Sequence, residues 1–287
     1  MKKRWRVWGL WMIAVILLFP GCGGKSEEAK APAAPAPAAA TPAEAPSQVP
    51  AVEAPSVQVQ PGVPGKAPAA AVPAKPGEGR ILLAARFPSS AMAGGAPPGW
   101  ELETKSGTPV VRLEPQDNAF CLRLTSDSES SFGIKKEIRV DIREYPFMNW
   151  RWKVNRLPKG GDVRSPDTDD QALQIYVAFP ATGWPEALNT PVVGYIWDSE
   201  APKGWMGSSS HTGAGMLRYV VVRNKTDRLG QWSSEKRNIL QDYQKLFRDV
   251  KSGQPQGPTR GLQLYINSQH TRSGAEGFVC EIYFSQS

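Results

Sequence analysis

The chain has 287 residues with 34 Lys and Arg against 27 Asp and Glu, a formal net charge of +7, and Pro and Gly at 27 each. The excess divides as nine basic against five acidic residues up to position 80 and 25 against 22 beyond it. The larger part is therefore nearly balanced, its basic residues scattered among acids, and it lacks the concentrated basic face that nucleic-acid binding needs.

The chain opens with Lys2, Lys3, Arg4 and Arg6, continues with an apolar run over 7–19, and reaches Gly21 and Cys22. That is the three-part layout of an export signal. The run is too short for a membrane span, which needs roughly 20 apolar residues. Leu18, Phe19, Pro20 and Gly21 before Cys22 resemble the lipobox of bacterial lipoproteins, although Phe19 and Pro20 depart from its usual Leu-Ala/Ser-Gly-Cys form. The resemblance implies that Cys22 is diacylated (palmitate-like chains) and becomes the mature N-terminus. Each buried methylene then adds about 0.8 kcal/mol of membrane affinity, so two or three chains anchor stably. Gly23 after the cysteine, where an Asp would retain the protein at the inner membrane, implies the outer membrane facing the periplasm.

From Lys30 to about Pro76 the chain is dominated by Ala, Pro, Val, Gly and Glu, without an aromatic residue or a usable hydrophobic period. Such a segment cannot bury enough apolar surface to offset its ordering entropy. We expect residues 23–79 to be a disordered tether of polyproline II character, able to hold the C-terminal part of the chain well away from a lipid surface.

Beyond Arg80 aromatics appear and turn residues recur about every ten positions, so residues 80–287 read as one domain. Period-two alternation marks half-buried strands. Met148, Trp150, Trp152 and Val154 share one face; Leu173, Ile175, Val177 and Phe179 share another; Leu262, Leu264 and Ile266 a third; and Phe278, Cys280, Ile282 and Phe284 a fourth. Segments 119–124, 134–142, 192–197 and 216–223 are further strand candidates. Over 233–250, Ile239, Tyr243, Leu246, Phe247 and Val250 fall at helical spacing, with Ser233 or Ser234 as N-cap and Glu235 in the first turn. The expected class is mainly β, an antiparallel sandwich or barrel with one amphipathic helix near 233–250.

Six landmarks in order resemble the bacterial domain of unknown function 3047 family: PPGW at 97–100, NWRWKVNRLPKGGD at 149–162, DDQALQIYVAF at 169–179, GYIWDSEAPKG at 194–204, QWSSEKRNILQDYQKLF at 231–247, and the closing strand. The resemblance implies a jelly-roll-like β sandwich of the sort common in carbohydrate-binding modules, with no established activity. Where that family often carries an Asp-rich Asp-x-Asp-Asn-Thr stretch, this chain has Asn267, Ser268, Gln269, His270 and Thr271.

The densest carboxylates, Asp162, Asp167, Asp169 and Asp170, offer hard oxygen ligands of the kind Ca²⁺ takes, but without EF-hand spacing. Asp167, Asp169 and Asp170 are therefore candidate calcium ligands, against the plainer reading of a solvated loop; no other cofactor is expected. Asp198, Glu200, Glu235 and Asp242 complete the acids near the landmarks, with Asp242 expected on the solvent face of the helix. The two histidines, His211 and His270, have no cysteine at metal-ligand spacing, and Ser208, Ser209 and Ser210 beside His211 form no nucleophile elbow. Trp184 and Trp205 lie in apparent loops, either as sugar-stacking platforms, with Asp198 as a polar contact nearby, or as plugs for the sandwich ends. Cys121 shares its strand face with Arg123, and Cys280 shares its face with Phe278 and Ile282, so their side chains are expected to point apart and remain free thiols despite an oxidising compartment. The leading functional expectation is a non-catalytic binding module on a lipid-anchored tether, its partner an envelope polysaccharide. The rivals are a carboxylate-dependent glycan-acting enzyme using Asp169, Asp170 or Asp198, and a structural lipoprotein that binds another envelope protein.

Overall fold

The structure, a computed structural model, describes residues 80–87, 92–116, 119–211 and 215–287. The export signal, Cys22 and the tether lie outside the described residues.

Two sheets face each other across an apolar core. The first holds β1 (Ile81–Arg86), β3 (Val110–Gln116), β4 (Ala119–Ser126), β6 (Phe147–Arg156), β11 (Ser233–Asn238) and β13 (Ala275–Ser285). Its order is β11-β6-β13-β4-β3, with β1 pairing β13 beyond the end of β4. The second holds β2 (Glu101–Ser106), β5 (Ser131–Glu137), β7 (Leu173–Ala178), β8 (Pro191–Trp197), β9 (Met206–Ser208), β10 (Met216–Arg223) and β12 (Gly261–Asn267). Its order is β2-β5-β12-β7-β8-β10-β9. All pairs are antiparallel except β8 with β10, which run parallel. The result is a jelly-roll-like β sandwich.

The faces expected to be apolar build the core. Leu173, Ile175 and Val177 of β7 and Leu262, Leu264 and Ile266 of β12 are buried, opposite Trp150 and Trp152 of β6. Trp150 lies 5.1 Å from Tyr195 and Trp152 5.5 Å from Trp197, centroid to centroid, so aromatic pairs bridge the two sheets.

Three expectations are corrected here. First, the helix is α2, Ile239–Leu246, and the six residues before it are strand β11. Ser233–Asn238 pairs with β6 from Ser233↔Trp152 to Asn238↔Phe147, giving that strand's free edge its hydrogen-bond partners. The cap is Asn238, whose side chain accepts from the Gln241 N–H at 3.0 Å. Glu235 therefore sits on a strand, where it accepts from Trp152 Nε1 at 3.1 Å and from Arg223. Second, Asp242 is buried rather than solvated. It accepts from the Tyr195 hydroxyl at 3.0 Å and from two nitrogens of Arg237 at 3.0 and 2.7 Å. Third, Cys121 and Cys280 form a disulfide, with Cα atoms 4.0 Å apart. The register of β13 on β6 slips between Val279 and Glu281. This bulge reverses the parity of the strand: Phe278 pairs with Lys153 before it, whereas Ile282 pairs with Trp150 after it. Phe278 and Cys280 thus share the outer face with Cys121 and Arg123, and only Ile282 and Phe284 point inward.

Candidate ligand-binding cleft

The outer face of the second sheet carries the residues that alternate with its core set: Gln174 and Tyr176 on β7, Gln263, Tyr265 and Asn267 on β12, Leu217 and Tyr219 on β10. Two strand glycines let these side chains lie flat. Gly194 is the register partner of both Tyr176 and Tyr219, and a Cβ there would stand 2.8 Å from Tyr219 and 3.1 Å from Tyr176. Gly133 is the partner of Tyr265, and its Cβ would stand 2.7 Å from that ring. Glycine inside a strand marks such a close approach. Tyr176 and Tyr265 stack at 5.9 Å with 24° between planes, and Tyr176 meets Tyr219 at 6.2 Å.

A second small core, Val163, Ile196, Ala201, Tyr219 and Val221 with Trp205 packed on it, covers the neighbouring part of this face. What remains is an open cleft floored by the tyrosines. Ala187 of α1 (Glu186–Asn189) and Thr190 form one wall, Ser209 and His211 another, and Gln269 and His270 a third.

Amides tie the floor together. Gln174 accepts from the Tyr176 hydroxyl and donates to Asn267 Oδ1 at 2.6 Å. Asn267 in turn donates to the Asp169 carbonyl at 2.6 Å and to Asp170 Oδ1 at 3.0 Å. The Tyr265 hydroxyl shares a 2.5 Å hydrogen bond with Ser131. Burial raises the phenols of Tyr176, Tyr219 and Tyr265 above their ordinary range, so each stays protonated. The acids of the cleft are held as well. Asp169 accepts from Gln171 at 2.8 Å and meets His211 Nε2 at 3.2 Å. Glu103 accepts from Gln263 at 3.0 Å and pairs with Lys135 at 3.4 Å. The rings of His211 and His270 lie 5.1 Å apart.

The sequence candidates separate in space. Asp169 faces the cleft. Asp170 turns away, accepting from the Thr271 N–H at 2.6 Å and hydroxyl at 2.7 Å. Asp167 lies exposed on a short 3₁₀ turn, Pro166–Thr168. The three carboxylates do not converge, and among the described residues no group of three His, Cys, Asp or Glu side chains is placed to hold a metal ion. Asp198 is fully buried behind the cleft, accepting from the backbone N–H groups of Val163 (3.0 Å), Glu200 (2.8 Å) and Ala201 (2.7 Å). Burial pushes its carboxyl up to about 6 against those donors. It anchors loops and does not face a ligand. Trp205 is laid over Gly207, whose Cβ would be 2.5 Å from its ring, and serves as a plug. Trp184 is 88% exposed, beside α1. Sequence reasoning misses the tyrosines, glutamines and Asn267 because it takes only the apolar face of each alternating strand; the opposite face holds the cleft, and Gly194 and Gly133 are its local signal.

A family model described as a protein of unknown function (DUF3047) matches residues 98–283. Among solved structures the chain is similar to the family 11 carbohydrate-binding module of a cellulosomal cellulase of Clostridium thermocellum, at 6% identity over 72% of this chain and 95% of that one, TM-score 0.39. It is similar to a carbohydrate-binding module, CBM28, described as specific for non-crystalline cellulose, at 11% identity over 70% and 98%, TM-score 0.36. It is also similar to TmCBM61, solved with β-1,4-galactotriose, at 11% identity over 66% and 90%, TM-score 0.30. No curated protein matches the sequence.

Proposed function

We propose, from the premise that this chain belongs to the DUF3047 family of proteins of unknown function, that it is a lipid-anchored protein of the bacterial cell envelope whose sandwich binds glycan without catalysis. The observation that carries this is the cleft on the second sheet. Three protonated phenols and the amides of Gln171, Gln174, Gln263, Asn267 and Gln269 line one concavity, a mixture of ring surface and two-way hydrogen bonding that suits a polyhydroxylated ligand. Trp184 is exposed next to α1, whose Ala187 lines the cleft.

The anchor is proposed on the basic and apolar segments before Cys22, with the tether carrying the domain away from the outer membrane. The Cys121–Cys280 disulfide agrees with an exported, oxidising location. The test is calorimetric titration of the full chain in detergent with fragments of envelope polysaccharides. Binding lost in Tyr176→Ala and Gln174→Ala supports the reading, and the absence of binding to every fragment refutes it. Cys22→Ala should release a folded protein from the membrane fraction; retention after a salt and carbonate wash would refute lipid anchoring.

One observation favours the glycan-acting enzyme as second reading: Asp169 orients His211 at 3.2 Å inside the cleft, an arrangement able to move a proton. Turnover of a bound sugar would decide for it.

A further inference from the structure

The cleft's charges are unequally satisfied. Glu103 is held by Lys135 and Gln263, and Asp169 by His211 and Gln171. Lys105, on edge strand β2 and lining the cleft, has no carboxylate within salt-bridge reach among the described residues. Its ammonium hangs 5.5 Å from the centroid of the Tyr265 ring. The residue as a whole is exposed, while the surrounding cleft partly desolvates its charge. That desolvation lowers its pKa, and the longer-range attraction of Glu103 and Asp169 only partly offsets it. Elsewhere in the lining the His270 ring has His211 as its aromatic neighbour and no hydrogen-bond partner among the described residues, and the buried Oε1 of Gln269 likewise has none.

A cation and a histidine with open valences, beside an acceptor with none filled, call for a ligand that brings a negative charge and hydroxyl donors together. A desolvated ammonium gains most from a partner of opposite charge that also excludes water.

We propose that the cleft recognises a carboxylated sugar, a uronic acid unit, whose carboxylate meets Lys105 and whose hydroxyls meet Gln269 and the amides of the floor. This rests on the glycan-binding reading of the same cleft. The phenols, being protonated, serve the hydroxyls, and the two acids of the cleft, already partnered, do not contest the carboxylate.

The experiment uses the full chain in detergent micelles and two probes of one backbone, digalacturonate and galactobiose, with glutarate as a carboxylate that is not a sugar. Digalacturonate should bind about tenfold more tightly than galactobiose. Its advantage should shrink as salt rises from about 50 to about 500 mM, while galactobiose is unaffected. Lys105→Met should equalise the two sugars and Lys105→Arg should retain most of the preference. Lys105 is exposed on the edge strand β2, so both variants keep the fold, checked by circular dichroism. Equal binding of the two sugars by the wild type, or an acid preference that survives Lys105→Met, overturns the inference and leaves glycan binding intact. Glutarate binding as tightly as digalacturonate overturns it in favour of a plain anion site. Binding of none of the three removes the glycan reading and this inference together.

Discussion

Gly194 is the cross-strand partner of Tyr176, and the tyrosine ring rests where a side chain at Gly194 would stand. Since Gly194 is also the partner of Tyr219, one missing Cβ sets the position of two of the three rings in the cleft floor. Gly194→Ala should displace both rings and cost about 1–3 kcal/mol as an overpacking change. Urea unfolding measures the cost, and ligand titration should show a larger loss than the stability change accounts for. A variant of wild-type stability and affinity would show that the floor does not depend on this contact.

The two loop tryptophans should behave oppositely. Trp184→Ala, at an 88% exposed position, should change stability by less than about 0.5 kcal/mol. Trp205→Ala removes the cover from Val163, Ile196 and Val221; being only half-buried, it should cost on the order of 2 kcal/mol, below the range of a fully packed tryptophan. Thermal unfolding of the two variants side by side distinguishes rim from plug.

Asp242 is the shared acceptor of Tyr195 and Arg237 in the core. Asp242→Ala strands a guanidinium and a phenol and should destabilise by about 3 kcal/mol or more. Tyr195→Phe removes one hydrogen bond and should cost about 1 kcal/mol. Equal effects from the two would mean the ion pair contributes nothing.

Asp198 should make stability fall with rising pH. Its folded pKa of about 6 exceeds the ordinary carboxyl value of 3.8. Below about pH 4 both states hold the proton and nothing is lost. Between about 4 and 6 the unfolded chain ionises first, and above about 6 the full penalty, on the order of 3 kcal/mol, is in place. Asp198→Asn cannot titrate, so the difference between wild-type and variant unfolding free energies should shift across this window in the variant's favour. A difference that stays constant from pH 4 to 7 would contradict the raised pKa.

The disulfide closes a separation of 159 residues. Cys121→Ser with Cys280→Ser, or reduction, should lower stability by about 2–5 kcal/mol. A non-reducing peptide map should carry the cross-linked pair. An uncross-linked map from protein purified out of the envelope would contradict the pairing.

Much of the sandwich is legible in the sequence because most of its strands keep aliphatic and aromatic side chains on the core face and more polar ones on the other. Met216–Arg223 and the inner faces of β6, β7 and β12 follow from period-two alternation. β2 and β3 are not legible: Glu101–Ser106 and Val110–Gln116 are edge strands with no fully buried position, so no apolar stripe announces them. The helix is visible in its spacing but not in its start, because Ser233–Asn238 takes its conformation from pairing with β6, a partner about eighty residues earlier. Alternation also misleads at Cys280, where one inserted residue reverses the parity that a simple count assumes. Of the cleft, Asp169 is the one ligand candidate named from sequence that faces it. The tyrosines and amides belong to strands whose other face already explains them.

β1 begins at Ile81, where the proposed tether ends, and it pairs with β13 alone, from Ile81↔Ser285 to Arg86↔Glu281. Tension applied at residue 80 would load that ladder first, with the Ala84 carbonyl also held by Lys136 Nζ of β5 at 3.0 Å. Because Cys280 is bonded to Cys121, the part of β13 beside β4 cannot be drawn away with it. Were the six residues of β1 to peel off, they would yield about 20 Å of slack at some 3.3 Å per residue, which would make it the domain's mechanical fuse.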